Sequence, residues 1–204
     1  MKFDLMSTGV GGEGVLTIGV IIARAANLEG YYVRGLQLHG LAQRGGTIPT
    51  FVRFGDEKEI SSPGIMQANA DLILAFEPLE AVRATFYARK EKTTFVINNH
   101  PYIPIYANLN NIPYPSLDKI LKKIKPFAKD IHVFDTNNLA KKEFGDVIFG
   151  NTILLGIAVG KGLIPLKEES LRESIKITVP KGVESNLKAF DFGLNIGKSH
   201  TRVE

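Results

Sequence analysis

The sequence predicts an α/β fold: a doubly wound, mostly parallel sheet with helices on both faces and a helical C-terminal extension. Three observations carry that reading. Short apolar runs alternate with helix-period segments along the chain. The connections between them are short. One run, Leu72–Phe76, is continuously apolar, as expected of a strand covered on both faces.

The elements follow in order. Phe3–Thr8 is an apolar run ending in glycines and reads as a first strand. Val15–Ala26 is a helix with only Thr17 and Arg24 polar, so one face on a sheet leaves apolar surface over. Tyr31–Leu36 is a second strand, and a glycine-containing loop runs from Gln37 to Thr47. Pro49–Phe54 reads as a strand leading into the Gly55–Asp56 turn and a hairpin with Lys58–Ser61. After Leu72–Phe76, Glu77–Pro78 opens a helix, proline being tolerated in a first turn.

Thr93–Ile97 is the next strand, and Ser116 precedes a helix whose Leu117, Ile120, Leu121 and Ile124 keep one face apolar. Ile131–Phe134 is another strand, followed by a short helix, Asp135–Phe144, that Gly145 ends. Asn151–Lys161 is a second nearly all-apolar helix. Lys167–Ile177 and Val183–Leu194 complete the pattern. The tail from Gly197 is polar and expected to fray. The reading is thus one domain over residues 1–197 with a polar tail over 198–204.

Composition narrows the chemistry. The chain has 204 residues, 44% hydrophobic and 23% charged, enough to bury a core. Its formal charge of +4 reads as solvated surface lysine, with no signature of nucleic-acid binding. No stretch reaches the ~18 apolar residues of a membrane span, and no signal-peptide pattern is present, so the expected location is cytoplasmic. Cysteine is absent, which excludes disulfides, cysteine nucleophiles and thiolate-held zinc or iron–sulfur centres on this chain. The four histidines are scattered without ligand spacing, so no metal site is expected.

Two loops stand out. Gly9, Gly11, Gly12 and Gly14 form a glycine-rich turn between strand and helix, where the backbone turns tightly and a helix N-terminus faces an anion. A dinucleotide fingerprint also needs Asp or Glu about 20 residues on. The second strand here ends in Leu36-Gln37-Leu38, with no carboxylate. The glycines serve either an anion or merely close helix–sheet packing. The second loop holds His39, Gln43, Arg44, Gly45 and Gly46. Arg44 beside two glycines suits a carboxylate or phosphate, and His39 and Glu13 are candidates for polar contacts. Both loops should lie at the carboxyl end of the sheet, with Arg44 close to Gly11–Gly14. No catalytic residue can be assigned.

The run from Gly9 to Thr17 and the His-Gly-Leu-Ala-Gln-Arg-Gly-Gly run from His39 to Gly46, taken together, resemble the gamma-type subunit family of 2-oxoacid:acceptor oxidoreductases. The likeness is strongest to its indolepyruvate:ferredoxin oxidoreductase beta-subunit branch. Ala70–Ala81, Asn151–Gly156 and Asn186–Gly193 also look like that family. One departure is Glu13, where the family usually has glutamine; an amide donates to an anion and a carboxylate cannot. The resemblance implies a subunit without its own redox cofactor, in a complex that decarboxylates arylpyruvates such as indolepyruvate oxidatively to aryl-acyl-CoA. It implies a large catalytic partner bearing thiamine diphosphate and iron–sulfur clusters, ferredoxin as acceptor through the complex, and coenzyme A. The Gly9–Gly14 and Gln43–Gly46 loops would then meet coenzyme A or a subunit interface.

Two other readings stay open. One is a stand-alone nucleotide-binding Rossmann-like enzyme using NAD or ATP; the other is a non-enzymatic binding module. The two apolar helices want further cover, which a catalytic partner, a second copy in a homodimer, or a larger core of this chain itself would provide.

Overall fold

A computed structural model describes residues 1–12, 14–38 and 45–199. The strands are β1 (Lys2–Val10), β2 (Tyr32–Gln37), β3 (Thr47–Gly55), β4 (Leu72–Ala75), β5 (Thr94–Asn98) and β6 (Asp130–Phe134). The helices are α1 (Val15–Leu28), α2 (Pro78–Ala84), α3 (Ile105–Leu109), α4 (Leu117–Ile124), α5 (Thr136–Phe144), α6 (Gly150–Gly160), α7 (Glu168–Thr178) and α8 (Val183–Ser199). They build a six-stranded sheet in the order β2-β3-β1-β4-β5-β6. β1, β4, β5 and β6 are parallel, and β3 runs antiparallel to both β1 and β2.

The two faces are sorted by the period-two pleat of the strands. Leu5, Leu72, Leu74 and Val96 point into a core shared with α1, α6, α7 and α8. Their neighbours Met6, Ile73, Phe95 and Ile97 point the other way, against α2 and α4. This is the doubly wound, two-faced α/β architecture expected from the sequence.

The expected hairpin is not there. β3 lies between β1 and β2, paired with β1 from Lys2↔Gly55 to Val10↔Thr47. Glu57–Glu59 forms a 3-10 turn instead of a return strand. The reason lies in a buried charge pair. Asp4 and Arg53 face each other across β1 and β3, with Nε 2.7 Å from Oδ1. Arg53 Nη1 also donates to the carbonyls of Ser62 at 2.7 Å and Gly64 at 3.1 Å. The residues after the turn are therefore used as acceptors for a buried guanidinium, and Ile60 plugs the core beside them.

The apolar helices are covered by this chain itself. α7 packs on α1, with the Ser174 hydroxyl donating to the Ile21 carbonyl at 2.7 Å. α6 is buried continuously from Thr152 to Val159, between the sheet and α8. The approach to α8 is close because glycines four residues apart line both contacting faces. A Cβ on Gly156 would stand 2.2 Å from the Phe190 carbonyl oxygen, and one on Gly193 2.1 Å from that of Ile153. The helical C-terminal extension thus forms an outer layer, and the apolar surface expected to be spare on α1 and α6 is largely covered, with Leu28 at the end of α1 51% exposed. α8 also continues to Ser199, so Gly197–Ser199 are helical instead of frayed.

Candidate functional site

β1 ends at Val10, and the chain turns over Gly11 and Gly12 into α1. Gly14 caps the helix at φ +77°, a left-handed conformation that side chains disfavour, and no side chain caps the first turn. Gly9 lies within β1, opposite Ile48 of β3. The two singled-out loops join directly: Gly11 N–H donates to the Gly46 carbonyl at 2.8 Å, and Gly45 N–H to the Gly11 carbonyl at 3.2 Å. Glu13, His39, Gln43 and Arg44 lie outside the described residues.

The turn into α1 borders a crevice of about 540 Å³ through Gly12 and Gly14. Its position has a topological cause. The helix after β1 packs on one face of the sheet and the helix after β4 on the other, so a cleft opens beyond their carboxyl ends. Ile18, Ile21 and Phe76 form its apolar wall, and Gly12, Gly14 and Thr17 bring the start of α1 to it. The polar lining is mostly amide. Asn98, 1% exposed at the end of β5, accepts from Thr136 N–H at 3.0 Å and donates to Asn137 Oδ1 at 2.8 Å. Opposite, the Thr152 hydroxyl donates to Asn186 Oδ1 at 2.9 Å, and Asn186 Nδ2 donates to the Gly182 carbonyl at 3.1 Å.

Lys181 and His100 also line the cleft, and among the described lining residues none is acidic. A helix N-terminus, a lysine and oriented amides suit an anionic ligand with amide groups. Among those residues there is no nucleophile–base pair and no carboxylate pair.

A smaller pocket of about 230 Å³ lies on the other side of Gly45 and Gly46, lined by Thr47, Glu77, Glu80, Arg83 and Tyr102. Glu77 caps α2, accepting from Glu80 N–H at 2.9 Å. It also accepts from the Tyr102 N–H at 3.2 Å and from the Tyr114 hydroxyl. Glu80 accepts from the Thr47 hydroxyl at 3.2 Å and pairs with Arg83. Burial pushes the Glu80 carboxyl above its ordinary range, against the pull of Arg83.

The expected approach of Arg44 to Gly11–Gly14 falls outside the described residues, although Gly11 meets Gly45 and Gly46. Sequence reasoning missed the asparagines. Asn98 sits directly after a fully apolar strand, at the carboxyl end where ligands bind, and that placement was the available signal. Asn151, Thr152 and Asn186 carried no such mark. Glu77 was read only as a helix start.

The topology speaks against a dinucleotide site. Such a site reads the ribose with a carboxylate at the end of the second strand, which lies directly beside the first. Here β3 stands between β1 and β2, and β2 ends without a carboxylate. Among the described residues no helix is long and apolar enough to cross a membrane.

Comparison with known proteins agrees with this geometry. The pyruvate ferredoxin/flavodoxin oxidoreductase family matches residues 4–196. The indolepyruvate oxidoreductase subunit IorB of Pyrococcus horikoshii is 37% identical over 97% of this chain and 96% of its own length. The gamma subunit of a keto/oxoacid ferredoxin oxidoreductase from Geobacter sulfurreducens has the same fold, with a TM-score of 0.68 at 23% identity over 97% of this chain and 99% of that one. The 2-oxoglutarate:ferredoxin oxidoreductase of Magnetococcus marinus, solved with 2-oxoglutarate, coenzyme A and succinyl-CoA, aligns at a TM-score of 0.69 and 18% identity over 97% of this chain and 31% of that one. The chain belongs to the pyruvate ferredoxin/flavodoxin oxidoreductase family, as a subunit of an oxidoreductase.

Proposed function

We propose that the chain is the small subunit of a cytoplasmic indolepyruvate-type 2-oxoacid:ferredoxin oxidoreductase, and that its crevice receives coenzyme A. The observation that carries this reading is the cleft at the β1/β4 switch point, which offers binding groups without a catalytic pair among its described lining residues. The arylpyruvate substrate rests on the names of the curated relatives, which match almost end to end.

The division of labour follows from the residues. The chain has no cysteine to hold a cluster. Thiamine diphosphate and iron–sulfur clusters on a larger partner subunit would supply the decarboxylation and the electron path to ferredoxin. This chain's part is to bring the acyl acceptor. The first turn of α1 and Lys181 hold phosphate groups. The amides of Asn98, Asn137 and Asn186 orient the amide-rich arm, and Ile18, Ile21 and Phe76 exclude water from its apolar stretches. Glu13, Gln43, Arg44 and His39 lie outside the described residues; Arg44, next in sequence to Gly45, is the candidate for a bidentate phosphate contact.

The test is reconstitution with the thiamine-dependent subunit. The pair should reduce ferredoxin with indolepyruvate and coenzyme A, and this chain alone should not. Lys181→Glu should raise the KM for coenzyme A by about 10-fold with little change in the KM for the oxoacid. A complex indifferent to indolepyruvate, or an unchanged coenzyme A dependence in the variant, would refute the respective half of the reading.

A further inference from the structure

The 18 residues from Asn99 to Ser116 contain no Asp, Glu, Lys or Arg, and none of them is buried. At the chain's own 23% charged content, a surface stretch of that length would carry about four charges. Instead it presents six large apolar side chains: Tyr102, Ile103, Ile105, Tyr106, Leu109 and Ile112. Tyr106 is 73% exposed and Leu109 76%, among the most exposed large apolar residues described. Together the six expose roughly 700 Å², close to the ~800 Å² that one partner contributes to a stable interface.

The segment is also held in shape. Buried Glu77 accepts from the Tyr102 N–H near its start and the Tyr114 hydroxyl near its end. Pro101, Pro104, Pro113 and Pro115 fix backbone angles between and beside those two anchors. A preformed apolar surface loses little freedom on association.

We propose that residues 99–116 are the docking surface for the thiamine-dependent large subunit. This rests on the function proposed above. The choice of occupant comes from continuity with the cleft. Asn98 and His100 line the crevice, and the chain runs from them directly into the apolar segment. Because the described cleft lining offers no catalytic pair, the reacting groups must come from a partner placed at its mouth. A second copy seated there would obstruct that mouth instead. Depletion of charge in the patch matches the core of a lasting interface.

The experiment uses the complex made by co-expressing this chain with the thiamine-dependent indolepyruvate subunit. Tyr106→Asp with Leu109→Asp changes two solvent-facing side chains, so the chain's own Tm should stay the same. Its association with the large subunit should weaken at least ~30-fold, the scale of a lost hot spot. Met66→Asp, at an equally exposed apolar position outside the segment, should stay within ~2-fold of the unchanged chain. Hydrogen exchange of the unsubstituted chain should show protection of 99–116 on complex formation, a readout independent of any variant.

If the unsubstituted chain binds the large subunit and the double variant binds it equally well, the surface is wrong while the proposed function stands. Absence of protection over 99–116 has the same meaning. A dimer of the chain alone that the double variant splits would give the surface to a second copy. No association of the unsubstituted chain at all removes the function and this proposal together.

Discussion

Tyr114 donates its hydroxyl to Glu77, a carboxylate only 1% exposed that also accepts the N–H groups of Glu80 and Tyr102. One buried side chain thereby ties a helix start to both ends of a surface loop. Burial and the neighbouring Glu77 carboxylate push the Tyr114 phenol far above its ordinary ionisation range, so it remains a donor in alkaline solution.

Tyr114→Phe removes one bond to a buried charge. The expected cost is about 1.5–3 kcal/mol in urea unfolding. Limited proteolysis should also cut faster between residues 101 and 115. A variant as stable and as resistant as the parent would show that Glu77 does not hold the loop.

Gly193→Ala tests the α6–α8 contact through the sign of its effect. Helix propensity alone favours alanine by about 1 kcal/mol. Against it stands the Ile153 carbonyl, 2.1 Å from the added carbon. Separating two packed helices should cost about 1–3 kcal/mol and lower the Tm. A raised Tm would mean that the helices do not approach so closely.

Arg53→Met leaves Asp4 buried at 0% exposure without its guanidinium partner. The expected loss is about 3–5 kcal/mol. Asp4 also pairs with the part-exposed Lys2 at 3.1 Å, whose ammonium water can solvate. Combining the change with Asp4→Leu should recover much of that loss, because no buried charge is then left unpaired. Denaturant midpoints of the two singles and the double decide it; additive losses would contradict the pairing.

His132, on β6, titrates below its ordinary value of 6.5, through burial first and then the charge of Lys161, against the opposing pull of Asp130. The folded state therefore takes up this proton less readily than the unfolded chain. Stability falls as the pH drops below 6.5 and levels off below the folded value. His132→Gln should flatten that part of the profile. Unfolding midpoints at about pH 7.5 and about pH 5.5 should differ less in the variant than in the parent. An unchanged difference would assign the acid sensitivity to other groups.

Much of the architecture was legible because its signals are local. A strand ending in glycines before an apolar helix, or a continuously apolar run such as Leu72–Phe76, marks itself within ten residues. A shared edge for the two glycine loops was legible too, since successive parallel strands deliver their loops to one edge, but the expected place of Arg44 falls outside the described residues. The place of β3 was not. It depends on Arg53 finding Asp4, a pair separated by 49 positions, and nothing nearby distinguishes that strand from half of a hairpin. The all-apolar helix α6 was ambiguous in the same way, because only the distant glycines of α8 reveal what covers it. The asparagines of the cleft come from β5, α5, α6 and α8, and only the fold brings them together.

The glycine seam between α6 and α8 also bears on the birth of the molecule. Synthesis runs from the N-terminus, and α8 emerges after the other described elements. Until residues 183–199 have left the ribosome, the α8-facing side of α6 has no helix to cover it. Nothing before that point in the sequence can substitute, because only Gly193 and Gly197 let a second backbone come so near. The nascent chain must therefore wait, sticky and unfinished, for the seventeen residues of α8. A truncation just short of them should leave a product that chaperones retain and proteases clear.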